Sequence, residues 1–274
     1  MFTIFRLTIK EVIRKRIFLV ILLLTFAFLI LYGIANHFAM KDIGRYGYSL
    51  QKLLFIPQLF SIGLYFSSFI VALLTIFSGV ASISGEIDSG VLHAIIPKPI
   101  KRSEILLGKY FGYATIISLY SSIFFLLIAA MVSFQTNYAM GNIIPAMLLY
   151  ALGPLILLAL SMWGSTFMST LANGVAIFML YILGSVGGMV ETIGLGIKSL
   201  ALQNVGIITS LIMPSDAIYK RMISSVLTAS NVIISVPTPF GGTSAPSNAM
   251  VVYAVIYLIV MLTFAVVNFN KKDI

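Results

Sequence analysis

Side chains able to do chemistry are few and scattered in this chain of 274 residues: eight Asp and Glu, two His and no Cys. His37 and His93 are separated by a predicted span and a loop, which argues against a His-based metal centre, and without cysteine neither a disulfide nor a thiolate site can form. The phosphate-cradling loop Gly-x-x-x-x-Gly-Lys-Ser/Thr is absent, because the Gly108-Lys109 pair is followed by Tyr110. The chain is therefore not expected to be an enzyme or to hydrolyse ATP by itself. Paired carboxylates, or a nucleophile beside a base, are missing from the apolar stretches, so an intramembrane enzyme or an ion-coupled secondary transporter finds no support there. Glu191, just after the fifth such stretch, is the one acid in an apolar neighbourhood. It reads either as a residue of a transport pathway or as an interfacial acid whose head reaches water or a backbone donor.

The elements that must position these groups are membrane helices. Hydrophobic residues make up 60% of the chain and charged residues only 9%, against roughly 25% charged in soluble domains. A soluble sphere of this size could not hide so much apolar surface, so the solvent of most of the chain is lipid and an ordinary cytosolic enzyme is excluded. Apolar runs long enough to cross a bilayer as helices are predicted at 17–35, 59–82, 110–134, 144–167, 174–190 and 251–268. The first is read as a retained anchor, because it is too long for a cleavable signal and Gly33-Ile34-Ala35 is a weak cleavage site. Ahead of it, Phe2, Phe5, Ile9, Val12 and Ile13 recur at helical spacing while Arg6, Lys10 and Arg14 line another face. That pattern fits a basic amphipathic helix in the headgroup region or a simple positive flank.

Net charge is +9, and its distribution assigns orientation. With the N-terminus in the cytoplasm, Arg6, Lys10, Arg14, Lys15, Arg16, Lys98, Lys101, Arg102, Lys109, Lys271 and Lys272 lie inside, while Lys41, Arg45, Lys52, Lys198, Lys220 and Arg221 lie outside. Eleven against six obeys the positive-inside bias with both termini cytoplasmic, and no nucleic acid is needed to explain the charge. Residues 199–213 are apolar but only about 15 long and contain Gln203 and Asn204, which suits a re-entrant or interfacial helix better than a seventh span. Pro214, Pro237, Pro239, Gly241, Gly242 and Pro246 then mark a long irregular external stretch.

The charged segment between the second and third spans reads SGEIDSGVLHAIIPKPIKRSEILLGK from Ser84 to Lys109. Residues 87–96 can form a short helix with Glu86 and Asp88 at its positive end, which Pro97 and Pro99 prevent from continuing. Ser103 can cap the next helix, and Gly108-x-x-x-Gly112 permits close packing. Gly184-x-x-x-Gly188 permits the same in the fifth span, within the chain or across a permease dimer, and Trp163 suits an interfacial anchor.

Glu86, Ser89-Gly90 with Val91-Leu92, Pro97-Lys98-Pro99, Arg102-Ser103-Glu104 and Leu107-Gly108-Lys109 together resemble the cytoplasmic loop of ABC transporter permeases of the type 2 exporter family. The basic N-terminal helix, the six spans and the external segment before the last span are similar as well. The resemblance implies an all-α, polytopic fold forming a single transmembrane domain over 1–274, with an interfacial helix at 1–16, a cytoplasmic coupling loop at 84–108 and an external segment with re-entrant or interfacial helices at 191–248. It implies a permease subunit of an ATP-driven transporter, an exporter, in a prokaryotic cell membrane. The partners would be two copies of a cytoplasmic ABC ATPase, which bind the ATP and Mg, and a second permease chain, identical or related. Glu86, Asp88, Gly90, Leu92 and His93 would face the ATPase or seat the coupling helix, and Pro97, Pro99 and Arg102 would fix its exit. An importer-type component is the alternative, although its Glu-Ala-Ala loop pattern is not found; an ATP-independent channel and an intramembrane enzyme come behind it.

Overall fold

The computed structural model of the protein describes residues 1–45, 49–88, 90, 101–136, 141–229 and 246–272. Within them the chain is all-helical: α1 Phe2–Arg14, α2 Arg16–Arg45, α3 Ser49–Val80, α4 Ser84–Asp88, α5 Arg102–Thr136, α6 Ile143–Ser165, α7 Thr170–Gly196, α8 Leu200–Ile212, α9 Ser215–Ala229 and α10 Asn248–Lys271. Six of these, α2, α3, α5, α6, α7 and α10, are long and apolar enough to cross a membrane. They coincide with the six predicted runs; α3 and α6 end two residues short of the predicted 82 and 167, α5 begins eight residues before Tyr110, and α7 continues through Glu191 to Gly196.

Burial sorts the spans into centre and periphery. In α6, Ile156, Leu157, Leu158, Ala159, Leu160, Ser161 and Met162 are buried in succession, so every face of that helix meets protein. By contrast α2 buries one stripe at four- and seven-residue spacing, Ile21, Thr25, Tyr32 and Asn36, flanked by the partly buried Phe18, Phe28 and Leu29, and leaves Leu19, Leu22, Leu23, Leu24, Phe26, Leu31 and Phe38 exposed. α10 does likewise through Ala254, Ala265 and Phe269. These exposed apolar faces are what lipid as solvent demands. Polar side chains inside the bundle are bonded across it: Tyr120 to Thr25 at 2.5 Å, Tyr150 to Ser67 at 2.6 Å, and Tyr219 donating to the Ser61 carbonyl at 2.6 Å.

An even number of spans returns the chain to the side it started from, and two contacts mark that end of the bundle. The Met1 amino group lies 3.3 Å from Glu104 at the start of α5, and Arg102 donates to the Lys272 carbonyl at the end of α10. The α1 helix lies against this part of α5. A Cβ on Gly108 would stand 3.1 Å from Ile4 Cβ, and one on Gly112 would stand 2.7 Å from Thr8 Cβ, so Gly108-x-x-x-Gly112 is the seat of α1. Thr8 and Val12 are buried there, while Phe2, Leu7 and Ile13 point outward from a helix that also carries Arg6, Lys10 and Arg14.

At the opposite end the chain folds back on itself. Lys198, at φ 59°, turns α7 into α8, and the Ser199 amide closes the turn on the Gly194 carbonyl at 2.8 Å. With 13 residues, α8 is about 20 Å long, short of the roughly 30 Å of a hydrocarbon core, and it packs along α7 instead of crossing. The short element expected at 199–213 is a helix, Leu200–Ile212. α9 then enters the core, where Tyr219, Met222, Ile223 and Val226 pack with residues of α3, α5 and α6. Gly184 and Gly188 face Met213 and Asp216, so this pair closes the fold within the chain and is not free for a permease dimer.

Candidate functional site

Two groups of charged residues are drawn into the protein interior. The first sits at the end of the bundle that holds the termini, at the root of the charged loop. α3 ends at Val80, and a tight turn leads into α4, which carries Glu86. Lys109, 4% exposed, forms an ion pair with Glu86 and donates to the Ser82 carbonyl at 2.6 Å. A buried ammonium so placed neutralises the acid and binds a carbonyl freed at the end of α3, where positive charge is favoured. Ser84 bonds to Thr170 at 2.8 Å and Ser82 to Ser165 at 3.3 Å, tying the turn to the α6–α7 junction. Asn173 secures that junction from α7, donating to the Ser161 carbonyl at 2.8 Å. The root of the loop is thus joined to α3, α5, α6 and α7 at once.

Of the residues expected to serve coupling, Glu86 lies at this root and Arg102 at the far end of the loop, bonded to the C-terminal end of α10. Asp88 is the last residue of α4, and its side chain lies outside the described residues, as do Leu92, His93, Pro97 and Pro99 altogether. Gly90 adopts φ 72° and its amide bonds to the Ile87 carbonyl at 3.0 Å. A left-handed glycine just past a helix end is a stop signal. A short helix thus covers Ser84–Asp88, and residues 91–96 of the helix expected over 87–96 lie outside the described residues. Trp163, read as an interfacial anchor, is partly buried and packs on Phe167 and Phe264.

The second group was not anticipated as a group. Glu191 lies inside α7, and its Oε2 accepts from Lys220 of α9 at 2.8 Å. Its carboxylate, 14% exposed, thus meets a lysine of another helix. Lys220, assigned from the sequence to an external loop, is only 3% exposed; it also donates to the Gly188 carbonyl at 2.8 Å and lies 3.2 Å from Asp216 Oδ2. Burial pushes the Asp216 carboxyl up to about 6, and the charge of Lys220 opposes that rise. Close approach of α7, α8 and α9 makes the cluster possible. A Cβ on Gly188 would overlap Asp216, and one on Gly206 of α8 would stand 2.3 Å from Glu191 Cβ. Asp216 and Lys220 lie at i and i+4 on one helix, a visible signal, but pairing Glu191 with Lys220 requires knowing that α9 folds back onto α7.

Among the described residues no group of three or more His, Cys, Asp and Glu could hold a metal ion. The geometry is that of a helical membrane body with an ordered charged root beneath a loop at one end and a buried charge cluster towards the other. No curated protein matches the chain. A family model described as ABC-2 family transporter protein matches residues 2–274, nearly its whole length. Membership of that family implies association with an ATPase subunit and with the membrane. With six apolar spans and this match on the page, the chain belongs to the ABC-2 family of transporter proteins and is an integral membrane permease component of an ABC transporter.

Proposed function

We propose that this permease is an exporter subunit, driven by a separate cytoplasmic ATPase that docks on the segment between Ser84 and Lys109. Two ATPase subunits and two permease chains, identical or related, would make up the working assembly in a prokaryotic cell membrane, with both termini in the cytoplasm. ATP and Mg belong to the partner, and this chain supplies the pathway and the lever.

The observation that carries the reading is the clamped root of the loop. A force applied beyond Gly90 arrives at Glu86, and Lys109 passes it to the start of α5 and the end of α3. The Ser84–Thr170 bond passes it to α7. The return strand of the loop ends at Arg102, bonded to the end of α10. Drawing two such loops together as the ATPases close would move the cytoplasmic ends of several spans as one body. That is the differential contact with two states that coupling requires. Export, as the direction, rests on the resemblance of the loop to type 2 exporters.

The native chain contains no cysteine, so a single introduced thiol reports its neighbours cleanly. In membranes containing the assembled transporter, His93→Cys should cross-link to the ATPase subunit, and Lys198→Cys, at the opposite end of the bundle, should not. Failure of His93→Cys to cross-link, or equal yields from both positions, would overturn the docking assignment.

A further inference from the structure

Between α2 and α5 the membrane body carries a groove of about 410 Å³ that opens outward. Ile116, Tyr120 and Phe124, at four-residue spacing on α5, are buried along its floor, while Leu119, Ile123 and Leu127 form an exposed wall. From Ile116 to Leu127 the groove runs about 16 Å, close to half of a hydrocarbon core of roughly 30 Å, so its depth is that of one leaflet. Its hydroxyls are already committed: Thr25 of α2 donates to the Ile21 carbonyl at 2.8 Å and accepts from Tyr120 at 2.5 Å. What the groove offers an occupant is therefore hydrocarbon.

One end of the groove meets charge. Ile13 of α1 lines it on the side nearer the termini, where α1 lies along the start of α5. Arg6, Lys10 and Arg14 share the face of α1 that carries Ile13, opposite the buried Thr8 and Val12, and all three are exposed. Arg16, also exposed, begins α2 beside them. None of these four cations forms an ion pair among the described residues. Glu11, the one acid of α1, is held instead by Lys15 at 2.7 Å. Unpaired positive charge at the level of the headgroups, at the mouth of a groove one leaflet deep, matches the two ends of a single amphipathic molecule.

We propose that the groove and the basic face of α1 together bind one anionic phospholipid from the leaflet on the side of the termini. An acyl chain lies between α2 and α5, and the phosphate takes charge-assisted hydrogen bonds from Lys10 and Arg14. A zwitterionic lipid can fill the same groove, but it brings a cation of its own to the basic face. A second copy of this chain suits the groove poorly, because a two-fold contact there would set the same cations against one another. The bound lipid braces the bend at Lys15, where α1 gives way to α2, by touching α1, α2 and α5 at once. The site does not depend on the ATPase, so it and the docking assignment stand or fall separately.

The test is thermal unfolding of the full-length chain, purified in a non-ionic detergent, with phosphatidylglycerol or phosphatidylcholine of the same acyl chains added in steps. Phosphatidylglycerol should raise the midpoint saturably, by about 3 to 6 °C at a tenfold excess over its Kd, and phosphatidylcholine by less. Glycerophosphoglycerol, the same headgroup without acyl chains, and inorganic phosphate should give no shift. Lys10→Gln with Arg14→Gln should lower the phosphatidylglycerol response to that of phosphatidylcholine. Lys271→Gln with Lys272→Gln, which removes as much charge from the same end of the bundle, should leave it unchanged. An equal loss in the two double variants would reduce the effect to general surface charge and overturn the site. If the first variant does not accumulate, the lipids decide the matter: no shift with phosphatidylglycerol, an equal shift with phosphatidylcholine, or a full shift with the chain-free headgroup or phosphate overturns it.

Discussion

Two lysines are buried among the described residues, and they stand towards opposite ends of the bundle in opposite electrostatic circumstances. Lys109 meets one acid, Glu86, and a backbone carbonyl, so its charge is matched one to one. Lys220 meets two acids, Glu191 and Asp216, beside an open cavity. Along α7, which links the regions, Thr170 and Glu191 are about 30 Å apart. A balanced pair at a loop root is a joint, able to transmit displacement without changing its own charge. A lysine shared by two acids instead ties α9 to α7. Buried charge by itself therefore does not announce a binding site.

The largest effect should come from removing the lysine that serves two acids. Lys220→Met leaves Glu191 and Asp216 buried without a cation, and a loss of about 3 to 5 kcal/mol is expected, read as a lowered unfolding midpoint or as failure to accumulate. Lys109→Met should cost less, about 1 to 3 kcal/mol, because Glu86 is 21% exposed and can turn to water. Equal losses would break the contrast between the two regions. Exchanging the charges of the joint, Glu86→Lys with Lys109→Glu, should recover stability relative to either single change, while transport-linked ATP hydrolysis stays impaired because the loop now presents altered charge to the ATPase. Hydrolysis at the native rate in the exchanged variant would show that Glu86 serves only the joint.

Protonation sharpens the same contrast. The folded value of about 6 for Asp216 lies above the ordinary 3.8, so between them the folded chain holds a proton that the unfolded chain has released. Its contribution is present in full below about pH 4 and is lost as pH rises through about 6, a change on the order of 3 kcal/mol. The groups facing this carboxylate are Glu191, Lys220 and the hydroxyls of Tyr65, Tyr150, Tyr181 and Tyr219. Asp216→Asn should flatten the profile, and a profile unchanged by that substitution would remove Asp216 from the account. The smallest effect concerns the seat of α1. Gly112→Ala presses on Thr8 and should cost about 1 kcal/mol, because a short peripheral helix can shift to make room. A loss as large as that of Lys220→Met would mean that α1 cannot shift and is part of the rigid joint.

Six spans, an even crossing number, the absence of a nucleotide-binding loop and the resemblance of residues 84–109 were all legible in the sequence. Each depends on local composition or on short spacings, which lipid and backbone geometry read residue by residue. Hydropathy found the middles of the spans and missed their ends, because Lys109 and Glu191 lie within helices whose polar residues are neutralised by partners from other elements. Glycine spacing showed that close packing was possible at Gly108–Gly112 and Gly184–Gly188. The identity of the neighbour, α1 in one case and the start of α9 in the other, was not in the spacing.

By itself the sequence determined which segments lie in lipid and how charge divides between the two sides, because transfer free energies are close to additive along the chain. Only the tertiary structure decided which charges meet. Lys220 counts as a solvated external cation until α9 turns back beneath the α7–α8 hairpin and brings it to Glu191, 29 residues away in the chain. An ion pair depends on distance and burial, and both are set by which helix faces pack together.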